Sequence, residues 1–231
     1  MIEFCEVPLK DTVGLHDLYL IKINAYGEKK DSANWQKTLI EAYNRTGKES
    51  FMQNLIYYYI QSNKITEATE MANKLVTDDP NSKLAWFMKG AIELNVKKDY
   101  AAAIASCDKA LAIDPNYKDA LFNKGTAYIN DIYDQTHGGK KFQYIGTNRR
   151  ITGKASDGSY QKQKAIYDKE VAYVKGYYEN ALKCMERVRE LAPNEAKRWA
   201  PSLQMVYSAL GQKNKAKEMD DLLDAANKAG N

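Results

Sequence analysis

Three prolines set a period in this chain. Pro80, Pro115 and Pro193 each end an amphipathic run: ANKLVTDDP, DKALAIDP and MERVRELAP. The first two lie 35 residues apart and the last two 78, one period of 34 with 44 residues added. Ala68, Ala103 and Ala181 each stand 12 residues before their proline, and a small side chain at a fixed place suits close helix packing. A unit of this length reads helix, turn, helix, turn and cannot bury its apolar face alone, so it must stack on its neighbours. The expectation is an all-α chain. Within one unit Trp86, Met88, Ile92 and Leu94 mark a first helix, and Ile104, Cys107, Leu111 and Ile113 a second. The connections NVKKD and DPNYK are short and polar, as between antiparallel helices.

The residues at fixed places in each unit resemble the tetratricopeptide repeat (TPR), whose motif runs W-x2-L-G-x2-Y, then A-x3-F, then P. Unit 83–117 supplies Trp86, Gly90, Ala103 and Pro115, with Cys107 in the aromatic slot and Lys89 in the leucine slot. Unit 49–82 supplies Leu55, Tyr59, Ala68 and Pro80, with Ile56 where glycine is usual. Unit 118–195 opens with Gly125 and Tyr128 and resumes at Ala181, Met185 and Pro193, so that an insertion falls at about 131–174. Unit 196–231 has Trp199, Ala216 and a Gly211-Gln212 turn, with Leu203 in the glycine slot, and ends in a capping helix. Segment 14–48 reads as a degenerate helix pair. The resemblance implies a right-handed α-α superhelix, a TPR solenoid of the bacterial type with one elongated helical hairpin.

At the start, Ile2–Leu9 align with Ile104–Leu111, the second helix of a unit, although Pro8 would disrupt a helix interior. Residues 1–13 thus read as the remnant of a repeat whose first helix is missing, from a truncated chain or a misplaced start. Localisation follows from that: cytoplasmic by default for the chain as given, periplasmic or envelope if a leader has been lost.

The insertion departs from generic repeat design. Its right-hand part keeps helical spacing through Ala165, Val171, Val174 and Tyr178, predicting a helix of about 30 residues from near Tyr160 to Pro193. Glycines at 138, 139, 146, 153 and 158 exclude a helix interior from the middle. Lys140, Lys141, Arg149, Arg150, Lys154, Lys162 and Lys164 face only Asp157, so 138–164 carries +6 and the rest of the chain −2. With few apolar residues, 138–160 is expected to stay loose or mobile. Phe142, Tyr144 and Tyr160 interleave with the cations, as at sites for phosphates or stacked bases. The charges suit a solvated loop that aids solubility; an anionic protein or envelope partner, or nucleic acid as the further alternative, would find its contacts at Lys140, Lys141, Arg149, Arg150 and Lys154.

Chemistry is sparse. Two histidines and three widely spaced cysteines offer neither a metal-ligand pattern nor a CxxC pair, and no HExxH or GxSxG occurs. Cys107 and Cys184 sit within apolar helical patterns, where a thiol behaves as a small hydrophobe. GTNRRITGKA is not a Walker A loop: six residues separate Gly146 from Gly153, and Ala155 follows Lys154. No catalytic residue, metal or cofactor is expected, and no stretch reaches the roughly 18 apolar residues of a membrane span. Binding remains. In the TPR resemblance the first helices line a concave groove, which here would present Gln53, Asn54 and Tyr57, then Phe87, Met88 and Ala91, then Phe122, Asn123 and Thr126, and finally Gln204. That face lacks Lys or Arg until Lys197, which argues against capture of a terminal carboxylate. Aromatic and amide groups suit a protein or peptide segment rather than a small-molecule substrate. The expected function is a non-catalytic scaffold.

Overall fold

A computed structural model describes residues 14–138 and 141–229; the expected remnant 1–13 and Lys140 lie outside the described residues. The described residues form ten α-helices and no strand. They divide into two compact units, one ending at Ile92 and one beginning at Glu93. The N-terminal unit holds α1 (Leu15–Glu28), α2 (Ser32–Thr46), α3 (Glu49–Gln61), α4 (Ile65–Asp78) and α5 (Lys83–Ile92). The C-terminal unit opens with a π-turn, Glu93–Lys97. It continues through α6 (Tyr100–Ile113), α7 (Lys118–His137), α8 (Ser159–Leu191), α9 (Ala196–Ala209) and α10 (Lys213–Ala229). In each unit helices pack on their sequence neighbours, which makes the architecture an all-α solenoid.

One turn recurs between the two helices of a pair. Lys30, Asn63, Lys98 and Gly211 all have positive φ, from 53° to 72°. After α1, Asp31 N–H donates to Tyr26 C=O and Lys30 N–H to Gly27 C=O. The same two bonds close α3 (Lys64 to Tyr59, Asn63 to Ile60) and α9 (Gln212 to Tyr207, Gly211 to Ser208). This is the Schellman arrangement, which satisfies the last carbonyls of a helix and reverses the chain. At Lys98 the outer bond runs one residue further back, from Asp99 N–H to Glu93 C=O, because the π-turn holds one extra residue. Asp31 and Asp99 then cap the following helices, accepting from Asn34 N–H at 3.1 Å and Ala102 N–H at 3.0 Å.

The period alanines are fully buried: Ala68, Ala103 and Ala181 are each 0% exposed. Ala103 packs with Leu94 and Ala127, flanked by Tyr100 and Ile104. Ala103→Leu should overpack this contact and cost about 1–3 kcal/mol. A chemical melt that leaves stability unchanged would show that the repeat phase is misplaced. The larger core of the C-terminal unit joins Met185 and Val188 to Trp199, Leu203, Val206, Tyr207 and Met219. Cys107 and Cys184 lie buried, and burial pushes the Cys107 thiol up to about 12, as befits a hydrophobe rather than a nucleophile.

The hairpin α7–α8 is long. At 1.5 Å per residue, the 20 residues of α7 and 33 of α8 span about 30 and 50 Å. The looseness expected of 138–160 is corrected by its contacts. Glu170 Oε1 accepts from Gln143 N–H at 2.6 Å, and Oε2 accepts from Tyr144 at 2.9 Å and Ile145 at 3.1 Å. Gln163 Oε1 accepts from Thr152 and Gly153 N–H. Tyr144 is buried against Tyr167, and Phe142 rests on Tyr173. Two carboxamide or carboxylate groups of α8 thus do what apolar residues were expected to be needed for: they satisfy the backbone of the insertion and hold it on the hairpin.

Candidate functional site

In the N-terminal unit α3 divides cleanly. Phe51, Met52, Leu55, Ile56 and Tyr59 are buried, which turns Gln53, Asn54 and Tyr57 outward; Tyr57 is 65% exposed. Phe87 on α5 is half-buried. Met88, expected on the binding face, is 5% exposed and belongs to the core. The helical register that turns Ala85 and Ile92 inward takes Met88 with them.

Beside this face is a cavity of about 280 Å³ lined by Tyr26, Gly27, Lys30, Ser32, Trp35 and Tyr58. Tyr26 and Gly27 end α1, Lys30 occupies the left-handed turn, Ser32 and Trp35 begin α2, and Tyr58 comes from α3. The Trp35 and Tyr58 rings are 5.2 Å apart at 51°. The sequence marks a turn at Gly27 to Asp31 between two helices but no binding role for these residues. The aromatic residues of INAY and NWQK were visible, but only the turn at Lys30 folds them onto one wall.

In the C-terminal unit the expected contact residues are less accessible. Arg198 lies 4.7 Å above the Phe122 ring and pairs with Asp119 at 2.6 Å. Asn123, Thr126 and Gln204 are half-buried, and Thr126 Oγ1 is buried without a hydrogen-bond partner. On the hairpin, Arg149, Arg150, Lys154 and Lys162 are exposed. Lys141 is committed locally: its ammonium donates to Gln135 Oε1 at 2.5 Å and Tyr173 OH at 2.7 Å. Lys164 pairs with Asp168 at 2.6 Å.

Among the described residues no cluster of His, Cys, Asp or Glu could hold a metal ion. His137 stacks on Tyr133 at 4.0 Å and His16 packs against Phe51. No helix among the described residues is long and apolar enough to cross a membrane.

Solved structures share this architecture. The crystal structure of MamA protein, a TPR-containing protein, superposes with a TM-score of 0.58 at 14% identity, covering 94% of each chain. The fold is that of a TPR protein. The MamA 41-end structure from Desulfovibrio magneticus RS-1 gives 0.58 at 16% identity, over 93% of this chain and 96% of that one. The MamA RS-1 ArsTM double mutant gives 0.61 at 14%, over 94% and 97%. No family model and no curated protein matches the sequence. In TPR terms α3, α5, α7 and α9 are first helices of their pairs, and α4, α6, α8 and α10 second helices. The long α8 is therefore a second helix extended at its N-terminal end, and the π-turn Glu93–Lys97 continues a first helix.

Proposed function

We propose that the chain is a non-catalytic interaction scaffold that binds a protein segment on the first-helix face of α3, with Phe87 of α5 nearby in sequence order of the repeats. The observation that carries this reading is the outward stripe Gln53, Asn54 and Tyr57 on a helix whose Phe51, Met52, Leu55, Ile56 and Tyr59 are buried on the opposite side. Two amides there can pair with the backbone of an extended partner, and an exposed phenol ring offers contact area at low entropic cost. Panning a displayed peptide library on the chain should enrich segments whose affinity falls by roughly tenfold or more in the Asn54→Ala, Tyr57→Ala double variant. Absence of enrichment, or enriched peptides indifferent to that variant, would remove the reading.

A second reading rests on the insertion. Arg149, Arg150 and Lys154 are exposed on a segment pinned to α8, so their charges are presented from a fixed platform toward an anionic partner. Such binding should weaken steeply with salt, whereas binding on α3 should change little. Arg149→Ala with Arg150→Ala separates the two readings, since it reduces only the salt-sensitive component.

A further inference from the structure

We propose that the pocket between the α1–α2 turn and α3 is a binding site for a small planar aromatic carboxylate. This goes beyond the scaffold reading and does not depend on it.

The walls define the body of the ligand. Tyr26, Trp35 and Tyr58 line the space with ring surface, and the missing side chain of Gly27 leaves it open. A Cβ on Gly27 would lie 3.9 Å from both Cδ1 and Nε1 of Trp35, so the polar edge of the indole faces the glycine. A volume of about 280 Å³ is near the lower limit, about 300 Å³, for small-molecule pockets. It is too small for a folded epitope and fits one flat ring system with a short substituent.

The polar groups define the substituent. The residues that line it carry an indole N–H (Trp35), hydroxyls (Tyr26, Tyr58 and Ser32) and an ammonium (Lys30), and no side-chain carboxylate or carboxamide. Its neighbour Asp31 is already engaged, accepting from Asn34 N–H at 3.1 Å and Asn34 Nδ2 at 2.7 Å. Of the three tryptophans, Trp86 donates to Pro80 C=O at 2.8 Å and Trp199 to Ala192 C=O at 2.9 Å. The Trp35 N–H has no acceptor among the described residues. The three hydroxyls can donate or accept, whereas the indole N–H and the ammonium only donate and no side-chain carboxylate of the lining competes for the cation. An aromatic acid needs donors and a cation, which it supplies well.

The test uses the full chain labelled with ¹⁵N and follows the three indole N–H resonances, with that of Trp35 assigned from Trp35→Phe. Indole-3-acetate should shift the Trp35 resonance saturably and leave those of Trp86 and Trp199 in place. Its neutral isostere indole-3-acetamide should bind roughly tenfold more weakly, the loss expected for one charge-assisted contact. Lys30→Gly keeps the left-handed turn and should lower acid binding to the level of the amide without changing the amide. Gly27→Leu, a good helix former that fills the space, should abolish both while the far-ultraviolet spectrum stays helical. Equal binding of acid and amide, survival of the shift in Gly27→Leu, or no shift at millimolar acid would overturn the proposal. So would tighter binding of glucose, or of a peptide with an internal tryptophan, than of the free acid. None of these outcomes bears on the Asn54→Ala, Tyr57→Ala test, so the two readings fail separately.

Discussion

Trp199→Ala should destabilise the C-terminal unit by about 3–5 kcal/mol, the range for a large aromatic deleted from a packed core. Trp199 is 2% exposed within a cluster to which α7, α8, α9 and α10 all contribute. Its indole N–H donates to Ala192 C=O at 2.9 Å, which closes the end of α8, and Arg189 lies 5.6 Å above its ring. The substitution therefore leaves a cavity and a cation without its aromatic face, and it takes one of two donors from the Ala192 carbonyl, which keeps Glu195 N–H at 3.0 Å. Repeats are stabilised by nearest neighbours, so the damage should be local. Hydrogen exchange should accelerate in α8–α10 and remain unchanged in α1–α4. A loss below about 1 kcal/mol, or uniform acceleration along the chain, would contradict this account.

The second large effect is expected at Gly146. Its φ is +68°, and a Cβ there would lie 1.7 Å from the backbone carbonyl oxygen of Thr136. Gly146→Val thus faces both a left-handed conformation costing about 1–3 kcal/mol and a collision with backbone that cannot be relieved by a rotamer change. The insertion must lift off α7. Amides of 143–145 and 152–153 should lose exchange protection by an order of magnitude or more, while the melting temperature of the solenoid changes little. If those amides keep their protection, the insertion is not held as described. Acid should produce the same release more gently. Partial burial raises the carboxyl of Glu170, but the three N–H donors from 143–145 outweigh it and leave its value below the ordinary 4.5. A depressed carboxylate contributes its stabilisation fully above that ordinary value and loses it as pH falls through the lower, folded value. Protection of amides 143–145 should therefore be flat near neutrality and decline only in that acid window; Glu170→Gln should lower it near neutrality and remove the acid-dependent decline.

The proline period and the alanines 12 residues ahead of each proline determined the helix pairs and the buried packing positions, because amphipathic periodicity is a local property that a solenoid repeats without long-range rearrangement. The long α8, starting at Ser159 against an expected start near Tyr160, was legible for the same reason. What tertiary structure decided lay between elements. Met88 fits an exposed slot of the repeat pattern, yet the register of α5 turns it into the core. The one-residue surplus of the 35-residue interval is absorbed by the π-turn at Glu93–Lys97, which composition does not signal. The glycine-rich insertion reads as disordered because its own side chains cannot order it. Order comes instead from Glu170 and Gln163, more than ten residues downstream of most of the amides they bind. The aromatic pocket likewise draws Tyr26, Trp35 and Tyr58 from three helices. A periodic sequence specifies which face of each helix is buried; it carries no record of which exposed side chains the turns will bring together, since that depends on backbone geometry at a few positions such as Lys30.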